Sequence, residues 1–200
     1  MVLLGLATGV LAIAFIGLCE TIALRTRTWR NVVTFTLAGL VTGILALWTP
    51  QIMGTSYDTL SELLAGKEEL GLVLALVVTK LLATATAVGL RVPGGLIGPT
   101  LFIGGSAGSA FGLLLAMLAP LDSASPAFYA TVGMVAMMGA TLRAPLAALT
   151  ALLELTANPN IILPGMLAVA SAELTNRLVL GKDSVFETLS KIQNPGHSPR

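Results

Sequence analysis

Residues 89–112 read GLRVPGGLIGPTLFIGGSAGSAFG, a run that holds 8 of the chain's 21 glycines and no charge beyond Arg91. These residue types suit recognition of an anion by backbone alone. Pro93-Gly94-Gly95 interrupts the preceding apolar run, and Pro99 fits the first turn of a new helix beginning near Leu96 or Ile97. A proline is tolerated there, because the N–H it lacks would have no intrahelical partner. The other first-turn N–H groups are unpaired, and the positive end of the helix dipole adds to them. Together they form an anion site that needs no basic side chain. Interrupted helices whose ends meet ions at mid-membrane are a recurring transporter device.

The few charges inside apolar runs are the other candidates, since ionisable groups at membrane depth are costly. Lys80 lies in the middle of residues 70–90, Arg143 at a predicted helix break and Glu154 near the end of ALTALLELTAN. Glu173 and Arg177 are four apart, on one helix face, and can pair. For each, snorkelling, capping or pairing within the bundle stands beside a functional role. Lys80 can add positive potential to an anion path or reach a neighbouring helix C-terminus.

These residues need a membrane scaffold to position them. The 200 residues are 55% hydrophobic and 10% charged, with mean hydropathy +0.89, whereas soluble domains carry about 25% charged residues. The expectation is an all-α, polytopic integral membrane protein with broken and tilted helices. A net charge of +1 gives no reason to expect nucleic acid. The single cysteine, Cys19, excludes an internal disulfide and reads as a small packing residue. The single histidine, His197, lies in a polar tail, NPGHSPR, that reads as disordered, so no metal ligand set is expected. No cofactor and no enzymatic activity are expected, because the spans hold no Ser/His, Cys/His or paired-carboxylate arrangement.

Six apolar stretches cover 1–24, 31–49, 70–90, 96–119, 128–157 and 161–180. A straight span takes about 20 residues, so Arg143-Ala144-Pro145 is expected to split the fifth into two short helices. Thr59–Leu64 is expected to form a short interfacial helix capped near Asp58 or Thr59. Residues 121–126 form a loop, and Asp183 or Ser184 caps a last helix ending near Gln193. A transmembrane unit is expected over 1–181, followed over 182–200 by a terminal helix and tail rather than a second soluble domain. Small residues recur at four-residue spacing at Gly5/Gly9, Gly39/Gly43 and Gly104/Gly108/Gly112, a pattern of close helix packing. Gly104 and Gly105, near the anion site, are alternatively pore-lining.

Gly95-Leu96-Ile97-Gly98-Pro99 resembles the G-x-F-x-P anion-binding motif of the CLC family of chloride channels and chloride/proton exchangers. Further segments lie in the family's order: residues 134–164 with their R-A-P and L-E-x-T elements and GKDSVFETL at 181–189 downstream, and TKLLATATAVGL (79–90) upstream. PQIMGTSYDTL upstream also fits. The resemblance covers essentially the whole chain and is to the second of the family's two inverted-topology halves. The first-half motifs G-S-G-I-P and G-[KR]-E-G-P are absent.

The resemblance implies a CLC-type fold with Leu96 and Ile97 presenting backbone N–H groups to chloride, and Gly95, Gly98 and Pro99 shaping the turn. Ile97 stands where an aromatic is usual. Phe186 matches a position where many members place a tyrosine whose hydroxyl binds chloride. Phenylalanine lacks that donor, although its ring edge offers a weak positive contact. An apolar anchor for the terminal helix is the other reading of Phe186. The resemblance further implies chloride as the transported ion, a lipid bilayer around the chain, a homodimer or a partner first-half polypeptide, and a cytoplasmic C-terminus. It puts Arg25–Arg30 outside, where the positive-inside rule would prefer them inside.

Two functions of different class follow. One is chloride transport, with this chain supplying one half of the pathway. The other is a non-conducting truncated fragment or assembly subunit that needs a separate first half. The R-A-P and L-E-x-T elements argue against an unrelated transporter with broken helices.

Overall fold

The computed structural model describes residues 1–54, 57–65, 69–119, 124–180 and 184–193. Among these, α1 (Val2–Arg25), α2 (Asn31–Trp48), α4 (Leu70–Gly89) and α5 (Ile97–Leu118) are long and apolar enough to cross a membrane. The short α3 (Tyr57–Ala65) precedes α4. After α5 come α6 (Pro126–Leu142), α7 (Pro145–Thr156), α8 (Ile162–Leu180) and α9 (Val185–Gln193).

Hydroxyl-bearing residues fit these apolar helices by turning inward. Thr8, Thr79, Thr131 and Thr175 each donate to the carbonyl four residues back, at 2.7–3.0 Å. That bond hides a polar group that lipid could not satisfy.

Helix α6 is the central element, with every residue from Tyr129 to Thr141 buried. A helix that is apolar all round belongs inside a bundle. Its most extensive partner is α5, through facing glycines. A methyl added at Gly108 would collide with the Tyr129 carbonyl, and one at Gly133 with the Gly104 carbonyl. Gly104 therefore serves close packing, and Gly105 faces Met134 and Leu60 rather than a pore. On α1, Gly5 and Gly9 pack against Ala168, Ser171, Ala172 and Thr175 of α8. Gly39 and Gly43 differ from the sequence expectation: nothing lies within 4 Å of an added methyl at either. Helix α2 packs mainly on α4, and that pair faces away from it.

The fifth apolar stretch breaks where expected. Arg143 adopts the left-handed conformation (φ 55°, ψ 40°) and ends α6, while Pro145 opens α7. The residue before a proline is disfavoured in the α-helical region, and Ala144 sits at φ −124°, ψ 64°. Helix α6 would leave its last carbonyls unpaired, but the buried Asn176 of α8 donates Nδ2 to the Ala140 carbonyl at 2.8 Å.

Ser125 caps α6, accepting from the Phe128 N–H, and Ser184 caps α9, accepting from the Glu187 N–H, both at 3.3 Å. Asp183, His197 and the rest of 194–200 lie outside the described residues, as do Leu121–Ser123 of the expected loop and the Asp58 side chain. Helix α3 begins at Tyr57, which puts Thr59 in its first turn rather than at its cap. Cys19 packs in the main apolar core. Glu173 and Arg177 pair at 2.6 Å, and Glu154 is exposed.

The two kinds of glycine give opposite expectations. Gly108→Val should destabilise the bundle by about 1–3 kcal/mol or more, as overpacking against backbone does. Gly43→Ala should be neutral or stabilise by up to about 1 kcal/mol through helix propensity. Denaturant unfolding in detergent micelles, followed by circular dichroism, separates them.

Candidate functional site

The site is built by the turn between α4 and α5. Helix α4 ends in a Schellman motif, in which the Val92 N–H donates to the Ala87 carbonyl and the Arg91 N–H to the Val88 carbonyl, both at 3.0 Å. Arg91 occupies the left-handed position at φ 65°, which costs a non-glycine residue about 1–2 kcal/mol. Pro93-Gly94-Gly95 then redirects the chain into α5, whose cap residue is the buried Leu96.

The first turn of α5 has no side-chain cap. Among the described residues, no carbonyl accepts the N–H groups of Leu96, Ile97 or Gly98, and Pro99 has none to offer. The first backbone bond of the helix runs from Thr100 N to the Leu96 carbonyl at 3.0 Å. The buried Thr100 hydroxyl reinforces it, at 2.9 Å from the carbonyls of both Leu96 and Ile97. Carbonyls are thereby consumed inside the helix, while N–H groups stay available at its positive end.

Gly95, Leu96, Ile97, Gly98 and Pro99 line a cavity of about 680 Å³, and Phe186 lies on its wall. The residues singled out from sequence are therefore brought together, although 89 positions separate Ile97 from Phe186. Burial is less complete than a helix start enclosed in protein would give. Ile97 and Phe186 are each 55% exposed, because the cavity is open on one side. Phe186 is not the anchor of α9; that part falls to Val185 and Leu189, which are buried in the main core.

The structure adds residues to this cavity whose place the sequence could not give. Leu142, Ala144 and Ala147 bring the end of α6 and the start of α7 onto the wall, as do Gly54 and Lys80. A smaller cavity of about 260 Å³ lies beyond, sharing Gly54, Lys80, Gly95 and Pro99 with the first. Lys80 is 6% exposed. Its Nζ donates to the carbonyls of Ile52 at 2.6 Å and Gly54 at 3.4 Å and stands 5.0 Å from the centre of the Phe102 ring. Of the two sequence readings of Lys80, reach to a neighbouring helix C-terminus is what is seen, since Ile52 ends the short 3-10 turn Pro50–Ile52. The charge nevertheless sits on the cavity wall. Among the described residues no cluster of His, Cys, Asp or Glu could hold a metal.

Residues 1–177 match the family model described as voltage gated chloride channel. An H(+)/Cl(-) exchange transporter ClcA of Vibrio campbellii is 31% identical over 160 residues, 80% of this chain and 34% of the relative. The ClcA of Salmonella arizonae is 33% identical over 144 residues, 72% of this chain and 30% of the relative. The fold resembles the crystal structure of a slow cyanobacterial Cl-/H+ antiporter with a TM-score of 0.85 at 24% identity, over 98% of this chain and 47% of that one. The chain thus spans about a third of the length of these two relatives and about half of the solved chain.

Removing the Lys80 charge should loosen the turn it holds. Lys80→Met should lower unfolding free energy by about 1.5–3 kcal/mol, the range for hydrogen bonds to charged groups. Amide exchange at residues 52–54 should accelerate, while the α5–α6 pair keeps its protection.

Proposed function

Because the chain belongs to the voltage gated chloride channel family and is a multi-pass membrane protein, we propose that it supplies one half of a chloride pathway. In this reading the backbone N–H groups of Leu96 and Ile97 hold the anion, with Phe186 beside it. The observation that carries the reading is the set of unaccepted N–H groups in the first turn of α5, whose residues line a cavity that Phe186 also lines. The relatives described above are H(+)/Cl(-) exchange transporters, which supports the choice of ion.

The mechanism is electrostatic. An anion leaving water is met by N–H dipoles already fixed by the helix, so little reorganisation is needed. Side-chain identity at 96 and 97 matters less than the backbone. Lys80 adds positive potential from the wall while its ammonium stays occupied by carbonyls. Weak contacts suit throughput, because a site that binds too tightly cannot release. Gly95, Gly98 and Pro99 shape the turn. The C-terminal end of the chain lies on the cytoplasmic side, and α1 with the α7 part of residues 128–157 offers the surface of a homodimer, α6 itself being enclosed. A complementary first-half polypeptide closes the open side of the cavity.

Chloride efflux from liposomes tests this, first with the chain alone and then with a separately expressed first half of a relative. Efflux that requires both polypeptides is the expected outcome. Absence of efflux in both, with insertion verified, overturns the reading. Phe186→Tyr restores a hydroxyl donor and should tighten chloride binding by about 1.5–3 kcal/mol, the range for a hydrogen bond to a charged group. Isothermal titration with chloride measures it.

A further inference from the structure

Arg91 stands where helix-ending geometry favours glycine. Its left-handed backbone, φ 65°, is the C′ position of the Schellman motif that closes α4. The side chain accounts for a non-glycine residue there. Its Nη2 reaches across to the end of α1, donating to the carbonyls of Thr26 at 3.2 Å and Trp29 at 3.3 Å. Thr26 is the C-cap of α1, so the guanidinium sits at the negative end of that helix's dipole. The bonds span 65 and 62 positions of sequence and join the α4–α5 turn to the α1–α2 connection.

Four residues, Val92-Pro93-Gly94-Gly95, separate Arg91 from Leu96. Two are glycines with open space around them, so they impose little on the path of the chain. The direction in which α5 starts is then set from its two ends. Downstream, Leu96 is buried and Thr100 locks the first turn. Upstream, the clasp of Arg91 holds the end of α4 against α1.

We propose that Arg91 is a positioning residue for the anion site, holding the α4–α5 turn so that the N–H groups of Leu96 and Ile97 face the cavity. The proposal rests on the reading of that turn as the anion site. Arg91 touches no anion itself. It acts through a backbone that two glycines would otherwise leave free to shift.

Two variants separate the guanidinium from the backbone it sits on. Arg91→Gly suits the left-handed position and removes only the clasp. Arg91→Lys keeps a cation able to meet one carbonyl. Chloride is titrated calorimetrically into each purified chain in detergent, and thermal unfolding is recorded on the same samples. In Arg91→Gly the chloride Kd should rise about 2- to 30-fold, the range seen when contacts remote from a ligand are altered, with an unfolding temperature close to that of the parent, because relief of the left-handed strain offsets the lost hydrogen bonds. Arg91→Lys should fall between the two.

A third variant, Ile97→Pro, serves as reference. It removes one of the two N–H groups assigned to the anion, at the first helical position, which accepts proline. If Ile97→Pro weakens chloride binding and Arg91→Gly does not, the role of Arg91 is overturned and the site stands. If neither changes the titration, the site reading fails and the Arg91 proposal fails with it. A lower unfolding temperature in Arg91→Gly with an unchanged Kd makes the residue a structural staple only, which also overturns the proposal.

Discussion

The arrangement rests on the backbone contact between α5 and α6. In lipid there is no hydrophobic force between helices, so association depends on how closely the backbones can approach. Gly104, Gly108 and Gly133 allow that approach; a side chain at any of them would strike backbone or an adjoining side chain. The antiparallel pair then fixes the rest. The start of α5 lies beside the end of α6. The break at Arg143–Pro145 falls at the same level, so α7 begins on the cavity that α5 opens onto. With α6 enclosed, α1 and α8 pack around it and carry α9, hence Phe186, to the same place.

The treatment of several helix ends sets the first turn of α5 in context. Ser125 and Ser184 cap α6 and α9. Asn176 takes a carbonyl at the end of α6, Lys80 takes two from the Pro50–Gly54 turn, and Arg91 takes two at the end of α1. Each satisfies a backbone group that apolar surroundings would penalise. The first turn of α5 is treated oppositely. Its cap residue is leucine, its third residue is proline, and its threonine bonds inward to carbonyls. The starts of α1, α2, α4 and α7 also lack a side-chain cap; what sets α5 apart is that its whole first turn lines a cavity.

Much of this was legible in the sequence because it depends on local rules. Proline and glycine punctuation located the α5 start and the α6–α7 break, and apolar length located α1, α2, α4 and α5. The charged pair Glu173/Arg177 followed from helical spacing. What could not be read was tertiary. Small-residue spacing is the same in Gly39/Gly43 as in Gly104/Gly108, yet one pair is open and the other is in contact, because the pattern does not say whether a partner helix passes by. Lys80 stood out as a charge, but the carbonyls that hold it come from a turn 26–28 residues earlier. Arg91 looked like the last charge before the motif. Its left-handed backbone and its reach to α1 emerge only when α1 and α4 are side by side.

The division of labour between Lys80 and the α5 N-terminus bears on how a pathway of this kind would work. A bare ammonium in a cavity would bind an anion as an ion pair, strongly and at one point. Lys80 instead has carbonyls on its Nζ and an aromatic ring nearby. It therefore contributes a field more than a contact. In the proposed pathway the contact would fall to neutral N–H groups, whose hold on an anion is individually modest and whose geometry the helix supplies without cost at the moment of binding. Phe186 in place of a hydroxyl-bearing residue moves the balance the same way, by withholding a donor. On the proposed reading, a site so composed would favour residence short enough for passage over tight capture, and its strength would depend on how firmly the α5 start is held in place as well as on the side chain at 186.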